Sequence, residues 1–185
     1  NAGPVACKKF TDFVRSTGFP CTLTLMGLGA FPASDDQFLG MLGMHGTYEA
    51  NLAMHGCDLM IAVGSRFDDR ITGRLDAFAP DAKIIHIDID PSSINKNVAV
   101  DIPIIGNVSH VIGQLASRWE EKGVVTRKSK SLKAWWKEIQ KWRKCNCLAY
   151  KKSNKIIKPQ FALERLQALT AKHDTFITTE VGQHQ

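Results

Sequence analysis

Across residues 40–74 the chain reads GMLGMHGTYEANLAMHGCDLMIAVGSRFDDRITGR, and its character changes three times. A glycine-lined turn gives way to a short helical stretch, and that to the apolar run Leu59–Val63. A polar loop carrying Arg66, Asp68, Asp69 and Arg70 follows. Short apolar runs between turns read as strands buried on both faces of a parallel sheet. Parallel strands need crossovers, usually helices, so this one run commits the chain to an alternating α/β architecture. Open sheets of that kind collect ligands at the carboxyl ends of their strands. Gly43 and Gly46 flank Met44 and His45 there, and a residue without Cβ lets the backbone lie close against a ligand.

The alternation extends in both directions. Val5, Phe10, Phe13 and Val14 share one helical face, and Gly18 with Pro20 closes that helix. Residues 21–26 read as a strand, and Thr47 can cap a helix over residues 48–55. Residues 83–90 form another strand, with Ile85, Ile87 and Ile89 on one face and His86, Asp88 and Asp90 on the other. Residues 103–106 lead into a helix near 108–122. The prediction for residues 1–122 is a Rossmann-like parallel sheet with helices on both faces. Residues 123–158 read as a basic linker with a helix over 132–144. Pro159 then begins a helix with Phe161, Leu163, Leu166 and Leu169 apolar, and residues 173–181 a strand. Residues 159–185 are thus the first helix and strand of a second α/β domain, and the chain reads as a fragment cut at both ends.

The net charge of +6 is concentrated in one segment, since residues 118–158 hold 14 Lys/Arg against 3 Asp/Glu. Such a block suits either nucleic acid or a solvated, lysine-coated connection. Trp135, Trp136 and Trp142 recur there at near-helical spacing, which favours the second reading, with the tryptophans anchoring the segment onto its own protein. Five cysteines without framework spacing suit a reducing cytoplasm, and Cys145-Asn-Cys147 lacks the partners of a zinc site. No run approaches the roughly 20 apolar residues that span a bilayer.

The candidate binding residues gather where strands end. Asp88 suits a ribose diol, whereas Asp90 suits the cap of a turn after Pro91; a cation held by His86, Asp88 and Asp90 is the weaker alternative. Arg66 can bond a pyrophosphate or a ring edge, or pair within its loop, where Asp69 and Arg70 are also placed to pair. His45 reads as a ligand contact or as a core histidine. Glu49 lies in the first turn of the following helix, where a carboxylate would repel a phosphate. No nucleophile–base–orienter set can be assembled, so residues 1–117 read as a cofactor-holding domain without chemistry of its own.

Together, TLTLMGLGAFP, MLGMHGTYEAN, GSRFDDR, KIIHIDIDPSSINKN, DIPIIGN and TTEVGQHQ resemble the acetohydroxyacid (acetolactate) synthase large-subunit family of thiamine diphosphate enzymes. The resemblance implies an FAD-binding central domain and the opening of a domain that binds the thiamine diphosphate pyrophosphate. It implies decarboxylation of pyruvate and transfer of the two-carbon unit to pyruvate or 2-oxobutanoate, on the route to valine, leucine and isoleucine. FAD contacts would fall on Asn1, on Thr24, Leu25 and Met26, and on Leu42, Gly43, Met44 and His45. They would continue through Gly64, Ser65, Arg66, Asp68, Arg70 and Ile71 to Asp88, Ile89, Asn107 and Val108. Met44, Asp69 and Arg70 match positions near the substrate channel. Val181, Gly182, Gln183 and His184 match the thiamine diphosphate site.

The family often has Asp where this chain has Asn107. The glutamate that activates thiamine diphosphate and the motif that places Mg2+ belong to parts of the family outside these residues, so the fragment alone is expected to be inactive. The resemblance further implies a cytoplasmic homodimer or homotetramer, with a small regulatory subunit in some members, and an organelle where a transit peptide is present. A non-catalytic nucleotide-binding module and a basic nucleic-acid binder are the competing readings.

Overall fold

The structure, a computed structural model, describes residues 3–123 and 126–178, with Arg127 by its backbone alone. The chain divides into two compact units between Cys147 and Leu148. The first unit opens with helix α1 (Pro4–Thr17), strands β1 (Cys21–Leu23) and β2 (Phe38–Met41), and helix α2 (Tyr48–His55). Strand β3 (Leu59–Val63), the one-turn helix α3 (Asp69–Thr72), and strands β4 (Lys83–Asp88) and β5 (Ile102–Ile105) follow. Helices α4 (Val108–Glu121) and α5 (Lys130–Arg143) complete it.

All pairings are parallel, but the expected single sheet is two: β1 with β2, and β3-β4-β5 in that order. Helix α1 joins them through side chains rather than backbone. Its Phe13 packs with Ile87, Val111 and Ile112, its Val14 with Cys21, Leu23 and Phe31, and Phe10 touches both clusters. Val5, expected on the same face, is exposed.

Position in the sheet decides burial. Central β4 buries Ile84, His86, Ile87 and Asp88, whereas β3 buries only Ala62 and leaves Leu59 exposed. β3 is packed on both faces as expected, Met60 and Ala62 against one apolar cluster and Ile61 and Val63 against another, but as an edge strand it is only half-buried rather than fully buried. β2 was not anticipated; its sequence Phe-Leu-Gly-Met is short and holds a glycine, which weakens the strand signal. The strand expected over 83–90 stops at Asp88, where Asp88 and Asp90 turn the chain with their own side chains.

Helix α5 begins at Lys130, two residues earlier than expected, because the Ser129 hydroxyl accepts the Leu132 N–H. Ile139 is fully buried with Leu39, Ala50 and Ala53, flanked by Trp135, Trp136 and Trp142. Trp136 Nε1–H donates to the Gly18 carbonyl at 2.9 Å, and Arg143 donates to the carbonyls of Asp36 and Phe38. The tryptophans thus fasten the basic segment to its own domain.

The second unit contains helix α6 (Pro159–Thr170), whose Phe161, Leu163, Leu166 and Leu169 are exposed. Residues 174–178 form no strand, contrary to expectation. A lone β segment leaves its ladder groups unpaired. The rest of that predicted strand lies outside the described residues.

Candidate functional site

Five loops leave the carboxyl ends of the five strands, and they are tied to one another. Leu23 pairs with Met41, so the end of β1 lies beside the end of β2. β1 stops at Leu23 rather than Met26; Thr24 leads into a short 3-10 turn, Leu25–Gly27, that leaves Leu25 and Met26 exposed. Met26 is 93% exposed.

After β2 comes half-buried Leu42 and then Gly43 at φ +93°. A Cβ on Gly43 would stand 2.5 Å from the Arg70 carbonyl oxygen, and one on Gly46 2.5 Å from that of Met41. Only glycine fits at either place. The Met44 N–H donates to the Arg70 carbonyl at 2.7 Å, which ties the loop after β2 to the loop after β3 and so connects the two sheets' rims. Met44 is 74% exposed and His45 is exposed, so His45 is no core histidine. Thr47 caps α2 as expected, accepting the Ala50 N–H, and Glu49 occupies its first turn.

Beyond β3, the Gly64 N–H donates to the Ile87 carbonyl, and Ser65 and Arg66 follow. Arg66 pairs with Asp68 at 3.6 Å, its side chain 78% exposed, a pair of little energetic weight. Asp68 caps α3 by accepting the Arg70 N–H. No ion pair joins Asp69 to Arg70 among the described residues, because Asp69 opens α3 while Asp68 takes the cap. Ile71 is half-buried. Phe67, at φ +51°, is buried edge-on against Phe78 and His86 and anchors this loop from below.

At the end of β4, Asp88 is buried and its Oδ1 accepts the Asp90 N–H at 2.9 Å, while Oδ2 lies 3.8 Å from His86 Nε2. Ile89 is 67% exposed. Asp90 caps the turn after Pro91; bonds from the Ser92 hydroxyl and N–H hold its carboxyl below the usual range. Among the described residues no group of three or more His, Cys, Asp or Glu side chains is placed to hold a metal, so the His86–Asp88–Asp90 cation reading finds no support. After β5, Gly106 donates its N–H to the Asp88 carbonyl, and Asn107 Oδ1 caps α4 by accepting from Ser109 and His110. A Cβ on Gly64 would lie 3.9 Å from the Val108 side chain, which closes the row. Asn1, Val181, Gly182, Gln183 and His184 lie outside the described residues.

Two asparagines escaped sequence reasoning. Asn51, one turn into α2, bonds both backbone groups of Gly43, and the Asn97 amide donates to the Phe67 carbonyl at 2.8 Å. The available signal was composition, since asparagine is a poor helix-interior residue and needs a reason to stand at position 51. The rim as a whole presents apolar side chains, backbone groups, the carboxylates of Asp68, Asp69 and Asp88, and the guanidinium groups of Arg66 and Arg70. It is equipped to hold an elongated ligand, and none of its described residues forms a proton-transfer pair with another.

Residues 2–115 match the family described as thiamine pyrophosphate enzyme, central domain. The chain is 47% identical over 178 residues to the acetolactate synthase large subunit of Haemophilus influenzae, covering 96% of this chain and 30% of the relative. It is 46% identical over 178 residues to the acetolactate synthase isozyme 3 large subunit of Escherichia coli, covering 96% and 31%. Acetolactate synthase 1, chloroplastic, of Zea mays is 46% identical over 173 residues, covering 94% and 27%. The chain therefore spans about 30% of the length of the curated relatives it matches. With a parallel α/β unit, a tied carboxyl rim and a family match over most of that unit, the chain belongs to the thiamine pyrophosphate enzymes, within which residues 2–115 are the central domain.

Proposed function

We propose that this chain is the middle of an acetolactate synthase large subunit, and that its rim holds FAD. The observation that carries the reading is the row of five joined strand ends, with the two sheets linked at Met44 and Arg70. The groups on that row suit the cofactor. Leu25, Met26, Met44 and Ile89 offer exposed apolar surface to a ring system. Gly43 lets the backbone approach closely, Arg66 offers a guanidinium to the pyrophosphate, and Asp88 offers a carboxylate to a ribose. Thr24, Leu42, His45, Gly64, Ser65, Asp68, Arg70, Ile71, Asn107 and Val108 complete the contact set, with Asn1 ahead of them. Asn107 would serve through its amide NH2, because its oxygen already caps α4.

Residues 1–122 would form the FAD domain and 123–158 the connection. Residues 159–185 would open the domain that receives thiamine diphosphate, through Val181, Gly182, Gln183 and His184. Bound thiamine diphosphate, with Mg2+, supplies the carbon–carbon chemistry: pyruvate loses CO2 and its two-carbon remainder joins pyruvate or 2-oxobutanoate. That overall reaction is redox-neutral, so the rim needs only to bind and orient the flavin, and its residues match that task. The functional form would be a cytoplasmic homodimer or homotetramer, with a small regulatory subunit as a further partner and an organelle as the location if a transit peptide is present.

The test is a purified full-length polypeptide carrying these residues, supplied with thiamine diphosphate, Mg2+ and FAD. Pyruvate should yield CO2 and acetolactate, with activity lost when FAD is stripped and regained when it is returned. Tight FAD binding without acetolactate formation would instead indicate a non-catalytic module.

A further inference from the structure

We infer that Asn51 is a positioning residue for the cofactor rim: its carboxamide holds both backbone groups of Gly43 and thereby presents Met44 and His45 to the flavin. The inference rests on the FAD reading above. Gly43 N–H donates to Asn51 Oδ1 at 2.8 Å, and Asn51 Nδ2 donates back to the Gly43 carbonyl at 3.0 Å. At neutral pH a carboxamide both accepts and donates across one planar group, whereas an ionised carboxylate of the same shape only accepts. Helix α2 is itself fixed against β2, because the Thr47 hydroxyl donates to the Leu39 carbonyl and accepts the Ala50 N–H. Asn51 therefore refers the loop to a rigid base.

Three further facts make this a presentation device rather than ordinary packing. The Met44 N–H is committed to Arg70 and the Gly46 N–H to the Gly43 carbonyl, so the turn's backbone is tied from three directions. Its side chains, by contrast, bury little: Met44 is 74% exposed and His45 is exposed. A turn held this firmly while it projects an apolar side chain outward fixes that side chain's position for something else to meet.

The experiment measures FAD dissociation constants of the full-length protein by flavin fluorescence between pH 5.5 and 8.5, alongside the thermal midpoint without FAD. Asn51→Ala should weaken FAD at least tenfold at a temperature where the variant is fully folded. Asn51→Asp keeps the shape, but its carboxylate faces the Gly43 carbonyl. Only the protonated carboxyl can donate there, so the loop favours the protonated form and FAD affinity should recover as pH falls. The unsubstituted protein over the same range is the reference, and the recovery is read as the difference from it. If Asn51→Ala does not fold, the pH profile of Asn51→Asp decides alone. Variants that lose thermal stability yet bind FAD within twofold of the parent, without pH dependence, would overturn the positioning role and leave the FAD reading standing. A parent that binds no FAD would overturn both.

Discussion

Gly43 carries the tightest constraint of any single residue on the rim. An L-residue at its φ of +93° costs about 1–3 kcal/mol in strained backbone, before a methyl group meets the Arg70 carbonyl 2.5 Å away. That oxygen already accepts the Met44 N–H, so it cannot withdraw without opening the joint between the two sheets. Gly43→Ala should therefore lower the thermal midpoint by several degrees and weaken FAD by more than tenfold, both read on the full-length protein. An unchanged dissociation constant would show that the turn is not part of the cofactor site. The cysteines give an independent check on burial. Cys21 is pushed up to about 12, first by burial and then by Asp35, from an ordinary value of 9.0. At pH 9 a free thiol is largely ionised, whereas Cys21 stays almost wholly protonated. Iodoacetamide at that pH should modify exposed Cys145 and Cys147 first and reach Cys21 only after unfolding, as peptide mass mapping would show. Early modification of Cys21 would contradict its buried place in β1 against Val14 of α1.

Among the elements, α5 tests whether the basic segment is a tether or a part of the fold. Ile139 is its one fully buried side chain, and truncating such a residue costs about 2–5 kcal/mol. Ile139→Ala should release α5 from α2, visible as faster hydrogen exchange in residues 130–143 and then in α2, with the amides of β4 little changed. Uniform acceleration would mean that α5 is integral to the sheet as well. What could be read from sequence follows the same physics. Helix α1, the Thr47 cap and strands β3 and β4 were legible because their periodicity or capping chemistry is local. β2 and the split into two sheets were not, since a four-residue glycine-bearing strand is recognised only by its partner, and the packing of Phe10, Phe13 and Val14 that joins the sheets is between residues distant in sequence. The site residues were placed by motif resemblance. Asn51 and Asn97 were missed because their bonds go to backbone groups, which a sequence does not identify; the poor helix propensity of Asn51 was the one trace.

For the molecule as a whole, the claim is that two parallel sheets present one continuous carboxyl rim. Side chains of α1 hold the sheets together below, and the Met44–Arg70 bond holds the loops together above. No described helix is long and apolar enough to cross a membrane. The most direct test is hydrogen exchange on the full-length protein with and without saturating FAD. Slowed exchange at residues 24–26, 42–45, 64–71, 88–89 and 107–108 together, with the α5 and α6 amides unaffected, is the predicted result. Protection confined to one sheet, or falling away from these five loops, would contradict it.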